Sequence, residues 1–418
     1  MKYLRALAAV AIAIACEGAN VPSIPVFAAL SPADAQARAI GRNLGVQQAV
    51  AAVDERVANL RLARIQGVPH FAGDYTLAPQ AGSGAQSATT VEQHFIAAGA
   101  SLSVNDLLAT SDAVRAAAGD LLAAQRQADA ATLLARENAL RLYFSALRST
   151  ELERLRTEVL ASAIRDRNAA AIRVRAGESP RLDVMRADVA VQQARADLAL
   201  AQAERVDAVE ALASATGVSS VSLGALANVP SPPQPVLDEN ADVGRALASR
   251  PEIAALLASV QARRADVGLA RTSGLPTITA NAGYQRGVDT GQEVRGPQAS
   301  VHLDVPLAPQ SPARVAIARA HVSAVEAQLI DARRTIALEV GAAVRDARAA
   351  DASERAALAA RDVAARALAA VELGYREGSS SSLDISDARR TYVQTSVDAV
   401  VAEYARAQAY ALLEVLVP

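Results

Sequence analysis

The sequence repeats itself once, at a spacing of about two hundred residues, and no other feature constrains the fold as tightly. Leu62-Ala63-Arg64, Gly67 and Pro69 recur without gaps as Leu269-Ala270-Arg271, Gly274 and Pro276, with Ala39, Val53 and Ala58 matching Ala246, Val260 and Ala265 in the same register. A second stretch pairs Arg175, Gly177, Leu182 and Asp183 with Arg376, Gly378, Leu383 and Asp384. It continues from Gln193, Asp197 and Arg205 to Gln394, Asp398 and Arg406. Two homologous units follow, 29–216 and 240–418. Pro230, Pro232, Pro233 and Pro235 mark the segment between them, 217–239, as an extended linker. The period is too long for a solenoid.

Each unit has the same plan. A first helix is expected over Ala33–Gln66 and Asn240–Ser273, ended by Gly and Pro. Two strand-like segments come next. A second helix is expected over Ser111–Arg175 and Pro312–Arg376, and no Pro interrupts either stretch. About 65 residues at 1.5 Å each make a rod near 100 Å long, which no ordinary globular domain needs. A turn at Gly177 or Gly378 starts a third helix, Leu182–Ala215 or Leu383–Val417. The first and third helices, about 50 Å each, match the long one when stacked end to end. The arithmetic suggests a helical cylinder. Composition agrees: 51% hydrophobic but only 3% aromatic residues, with Ala dominant, suits close-packed long helices.

Four strand segments alternate. Phe71, Gly73, Tyr75 and Leu77 oppose His70, Ala72, Asp74 and Thr76; Ile278, Ala280, Ala282 and Tyr284 oppose Thr277, Thr279, Asn281 and Gly283. Ile96 to Val104 and Val301 to Val305 alternate likewise, with Ser300, His302 and Asp304 on the polar side. One apolar and one polar face over 8–11 residues is the signature of transmembrane barrel strands. The same alternation also suits a small soluble sheet covered by helices. Four strands cannot close a barrel, so a membrane reading requires several protomers. Pro79–Thr90 and Gly287–Pro297 would then be external loops.

Lys2 and Arg5 precede the apolar run Ala6–Ala15, which reads as a secretory export segment and is too short to span a bilayer. Cleavage after Ala28 would remove 1–28. Ala13-Ile14-Ala15-Cys16 resembles a lipobox, in which 1–15 is removed and Cys16 is lipidated. The lone cysteine excludes an intrachain disulfide. The net charge of −2 argues against nucleic-acid binding. The four histidines show no metal spacing, and no Gly-rich phosphate loop or Ser/His/Asp set is present. No catalytic residue, cofactor or metal is therefore expected.

With its duplicated helix–strand–strand–helix–turn–helix unit, Leu62-Ala63-Arg64-x-x-Gly67-x-Pro69 and its copy, and Tyr375-x-x-Gly378-x₄-Leu383-Asp384-x-x-Asp387-Ala388, the chain resembles the TolC-like outer-membrane efflux family. The resemblance implies a mainly α fold with a small β part. It implies a homotrimer with a periplasmic α-barrel and a twelve-stranded transmembrane β-barrel in outer-membrane lipid, four strands per chain. It also implies docking on a periplasmic adaptor fed by an inner-membrane pump. In that setting the turns are adaptor-gripped tips, with Arg175, Gly177, Glu178 and Ser179 in one unit and Tyr375, Arg376, Gly378 and Ser379 in the other. Asp384 and Asp387, at i,i+3, become acidic rings narrowing the pore, with Asp183 their counterpart. Aspartate in a first helical turn also simply favours the helix dipole. The sequence carries Val174 where family tips have an aromatic, and Ser380 where the family often places a base. At the turn itself, Ser179 is expected as N-cap and Pro180 as N1. Charged groups such as Arg165-Asp166-Arg167 and Arg361-Asp362 read as solvated faces. The rival reading is a soluble periplasmic coiled-coil scaffold.

Overall fold

A computed structural model describes residues 30–81, 90–218, 237–289, 292–305 and 311–417. The export segment 1–28, Cys16 and most of the 217–239 linker lie outside the described residues. The elements run α1 (Pro32–Arg42), α2 (Leu44–Ile65), β1 (His70–Ala81), β2 (Thr90–Ser103), α3 (Val104–Arg175) and α4 (Arg181–Thr216). The second copy gives α5 (Glu239–Ser249), α6 (Pro251–Thr272), β3 (Thr277–Asp289), β4 (Gln292–Asp304), α7 (Ser311–Arg376) and α8 (Ser382–Leu416). The long helices α3 and α7 hold 72 and 66 residues.

Several boundaries differ from expectation, each for a local reason. The first helix is two helices in both copies, broken at Asn43 and Arg250, which occupy the same repeat position. Asn43 is extended (ψ 118°) and its side chain accepts from the Val46 amide, capping a new helix. Arg250 is extended (ψ 127°) because Pro251 follows, and Pro disfavours helical geometry in the residue before it. Helix α3 begins at Val104, seven residues before the expected start. Ser103 Oγ accepts from the Asp106 amide at 3.3 Å, so Ser103 caps the helix and Val104 does not belong to a strand face. The strands hold 12 to 14 residues, not 8–11. Most of the expected loop Gly287–Pro297 is therefore strand, paired as far as Asp289 with Gln292. The other expected loop, Pro79–Thr90, retains strand at both ends, and residues 82–89 lie outside the described residues.

The chain divides into two compact units. One comprises the described residues of Met1–Arg42, Arg136–Gln234 and Ala350–Ala411. Its helices pack through alanines and a few large side chains, with Leu140, Tyr143 and Leu212 fully buried. Short Ala side chains let helix axes approach closely. The Tyr143 hydroxyl donates to the Leu30 carbonyl at 2.9 Å, so the one polar atom of this buried ring is satisfied. Arg406 of α8 donates to Asp351 of α7 at 2.5 Å and also pairs with Glu354 at 3.3 Å. The Tyr410 hydroxyl donates to the other Asp351 oxygen at 2.6 Å. Burial pushes the Asp351 carboxyl up, but these two hydrogen bonds and the Arg406 charge outweigh it and hold Asp351 below its ordinary value. In the first copy Arg205 pairs with Glu153 at the equivalent places.

The other unit comprises the described residues of Asn43–Ala135, Pro235–Ala349 and Leu412–Pro418. Ile253, Ala258, Ala262, Val340 and Val344 form its buried centre. It carries one antiparallel sheet in the order β1-β2-β3-β4, leaving β1 and β4 as edges. Gly99 faces Gly283 across the middle pair of strands. A Cβ on Gly283 would meet the Ala98 carbonyl oxygen at 2.6 Å, and one on Gly99 the Ala282 oxygen at 2.8 Å, so only glycine permits this approach.

Candidate functional site: the helical tips and the open sheet

Both tips are built alike. At the end of α3, Gly177 has φ +78°; its amide donates to Val174, and the Glu178 amide to Arg173. At the end of α7, Gly378 has φ +82°; its amide donates to Tyr375, and the Ser379 amide to Gly374. These paired bonds form the Schellman motif, which needs a left-handed residue and so favours glycine. Nothing lies within 4 Å of a Cβ at either position, so backbone conformation alone makes the demand. Arg175, Gly177, Glu178, Arg376, Gly378 and Ser379 are exposed, while Ser179 and Tyr375 are half-buried.

The restarts differ. Helix α8 opens with a capping box. Ser381 is N-cap, its hydroxyl accepts from the Asp384 amide at 3.2 Å, and the Ser381 amide donates back to the Asp384 carboxylate at 2.8 Å. The Ser381 backbone and side-chain hydrogen bonds hold the Asp384 carboxyl below its ordinary value. In the first copy the equivalent position is Pro180, which is itself the N-cap and not N1; no side chain caps α4, and Ser179 is not the cap. A proline has no amide to give and no side-chain oxygen, so no capping box can form. Asp183, the counterpart of Asp384, instead accepts from Ser382 Oγ at 2.7 Å and lies 3.9 Å from Arg186. Asp387 is exposed, with Arg390 at 3.6 Å.

Two further contacts join the hairpins near the tips. The Arg173 guanidinium sits 4.7 Å from the centre of the Tyr375 ring. Arg389 of α8 pairs with Asp166 of α3 and with Glu372 of α7, the latter at 2.6 Å. Burial, and then the like charge of Arg165, push the Arg389 value down. Asp166 is thus a bridging residue between hairpins, and Arg167 pairs with Asp188 of α4 at 2.9 Å. Arg167 keeps to a solvated face, as expected, whereas Asp166 is half-buried and bound to another helix. The charge pattern alone held no such signal, because the partners lie on other helices.

The sheet leaves large apolar side chains uncovered. Phe71 is 89% exposed and Val301 73%, and Tyr75, Ile96, Tyr284 and Leu303 are exposed too. Along β3 the apolar Ala282 and Tyr284 are exposed, whereas Asn281, Gly283 and Gln285 between them are half-buried. The polar face is internally bonded, Asn281 to Ser300 at 3.4 Å. Past the apolar band, Arg286 and Glu293 form an ion pair at 2.9 Å. No described helix is long and apolar enough to cross a membrane.

An apolar sheet face turned to its surroundings, carried on a duplicated set of long helical hairpins, defines a membrane-channel type of outer-membrane protein. The sequence matches the outer membrane efflux protein family over residues 36–218 and 243–417, and the chain belongs to that family. It is 32% identical over 330 residues to Protein CyaE of Bordetella pertussis, covering 75% of this chain and 68% of that protein. Among solved structures, the outer-membrane channel OprN has a TM-score of 0.82 at 17% identity, covering 92% of this chain and 89% of the other. The open state of the MtrE outer membrane channel of Neisseria gonorrhoeae has a TM-score of 0.78 at 21% identity, covering 92% and 88%. The protein is an outer-membrane duct that extends into the periplasm, and not an enzyme. Family membership sets aside the soluble scaffold.

Proposed function

We propose that three chains close their sheets into one twelve-stranded barrel and their helices into a periplasmic conduit. The export segment 1–28 is removed, or 1–15 where Cys16 is lipidated, and the two repeats flank the 217–239 linker. The duct is passive: an inner-membrane pump supplies the energy, and a periplasmic adaptor grips the tips at Arg175, Gly177, Glu178 and Ser179 and at Tyr375, Arg376, Gly378 and Ser379. One observation carries this reading. Large apolar side chains such as Phe71, Val301 and Leu303 stand exposed on the sheet, and along β3 Ala282 and Tyr284 are more exposed than the Asn281, Gly283 and Gln285 between them, as suits a face turned to lipid.

Asp384 and Asp387 set the ion preference of the tip opening. Both are exposed on one side of α8, and three chains bring six carboxylates together. Such a ring attracts cations. In planar bilayers a trivalent cation should block the wild-type pore. Asp384→Ala with Asp387→Ala should abolish the block and lower cation selectivity, while Asp183→Ala does less. A double variant that keeps wild-type block and selectivity makes these residues helix-start groups only.

A further inference from the structure

At the helix-proximal end of the polar face, the two free edges of the sheet carry titratable side chains that the inner strands lack there. Strand β1 begins with His70, and β4 ends with His302 and Asp304, all exposed. On the same face, residues 97–103 of β2 and 277–283 of β3 are only Ala, Gly, Ser, Thr and Asn. Among the described residues of one chain, no three metal-binding side chains come together. Any site built from these groups is incomplete without a second copy.

The inference rests on the trimeric barrel proposed above, in which β4 of one subunit pairs with β1 of the next. Two requirements fix that pairing. Faces must match, so even-numbered residues stand opposite even-numbered ones. Every residue of β1 must be paired, because an open edge is an aggregation hazard. With 12 residues in β1 and 13 in β4, one antiparallel alignment meets both: His70 opposite Asp304, and Ala81 opposite Glu293. The alignment has an independent check. The row from His70 through Ser101, Asn281 and Ser300 then reaches residue 74 of the next subunit, an advance of four residues. Repeated three times, that advance tilts the strands by about 35°, within the range closed barrels use.

In this register His70 of the partner subunit stands directly opposite Asp304, with Cβ atoms about 5 Å apart, and diagonal to His302 at about 7 Å. Two imidazoles and a carboxylate are a ligand set for zinc-like divalent cations, with water free to take the fourth place. We propose that each of the three seams binds one divalent transition cation through His302, Asp304 and His70 of the partner subunit, clipping neighbouring strands together inside the lumen.

Zinc ion is the probe. Detergent-purified full-length protein, freed of metal and sized in the same preparation, should take up three zinc ions per trimer by equilibrium dialysis. His70→Ala or His302→Ala should each weaken uptake at least tenfold, while His321→Ala, outside the sheet, leaves it unchanged. Ala72→Cys with His302→Cys, opposite each other in this register, should give a covalent trimer on oxidation, and neither single variant should. A trimer without zinc uptake, or with uptake indifferent to His70 and His302, overturns the site. Failure of the cysteine pair to cross-link an intact trimer overturns the register. A monomer in detergent overturns the assembly beneath both.

Discussion

Ser382 Oγ donates to the Asp183 carboxylate at 2.7 Å, joining the first turn of α8 to the first turn of α4 across the duplication. The bond exists because Pro180 leaves Asp183 without a capping box, whereas Ser381 occupies Asp384. With Arg173 over Tyr375, it ties one tip to the other. Each partly exposed contact of this kind is worth about 1 kcal/mol. Asp183→Ala with Tyr375→Leu should therefore free α8 locally without unfolding the chain. Hydrogen exchange over residues 382–389 should quicken several-fold, and exchange in the buried helix around Leu140 should not change. Uniform acceleration would mean that the tip contacts support the whole unit.

The Arg406–Asp351–Tyr410 cluster is the buried polar centre of the second hairpin. Asp351→Ala removes the 2.5 Å partner of the Arg406 guanidinium, on a residue only 4% exposed, while Glu354 at 3.3 Å and the Tyr410 ring at 5.2 Å remain. Removing one partner of a buried pair costs several kcal/mol, and the remaining Glu354 argues for the lower end, about 3 kcal/mol. Thermal unfolding should show a clear drop in midpoint. The same change at the first-copy position, Thr150→Ala, should cost far less.

Tyr410 adds a pH dependence. Burial, and then its hydrogen bond to Asp351, push its hydroxyl up to about 12. An unfolded tyrosine ionises near pH 10, so this group's stabilisation is complete below about pH 10 and is lost as pH rises to about 12. Melting points should fall across that window. Tyr410→Phe should start less stable and show a smaller fall; an unchanged slope would mean that other groups cause it.

The sheet faces make the membrane reading quantitative. Val301→Arg or Leu303→Arg places a charge against lipid, at a cost of roughly 2–4 kcal/mol at the midplane. Ser300→Arg points the charge into the lumen and should be tolerated better. Recovery of each variant in outer-membrane fractions gives the comparison. Equal recovery would reverse the face assignment.

The duplication was legible from residues that match at a fixed offset of about two hundred, and the long helices, the tip glycines and the strand alternation from local spacing. Boundaries set by a single cap were not. Asn43 and Ser103 are ordinary residues until their side chains are seen to accept a backbone amide. The Asp166–Arg389 bridge was equally hidden, since it depends on which helices become neighbours. Residue type alone also did not show that Asp183 and Asp384, matched in sequence, use their oxygens differently. That difference comes from Pro180 and Ser381, three positions earlier.

Assembly is the claim on which the duct, the gate and the seams all depend, and native mass measurement in detergent tests it most directly. A sheet of four strands with two free edges and an exposed apolar face should give a particle of three chains, extracted only with detergent. A stable monomer that stays soluble without detergent would contradict the account.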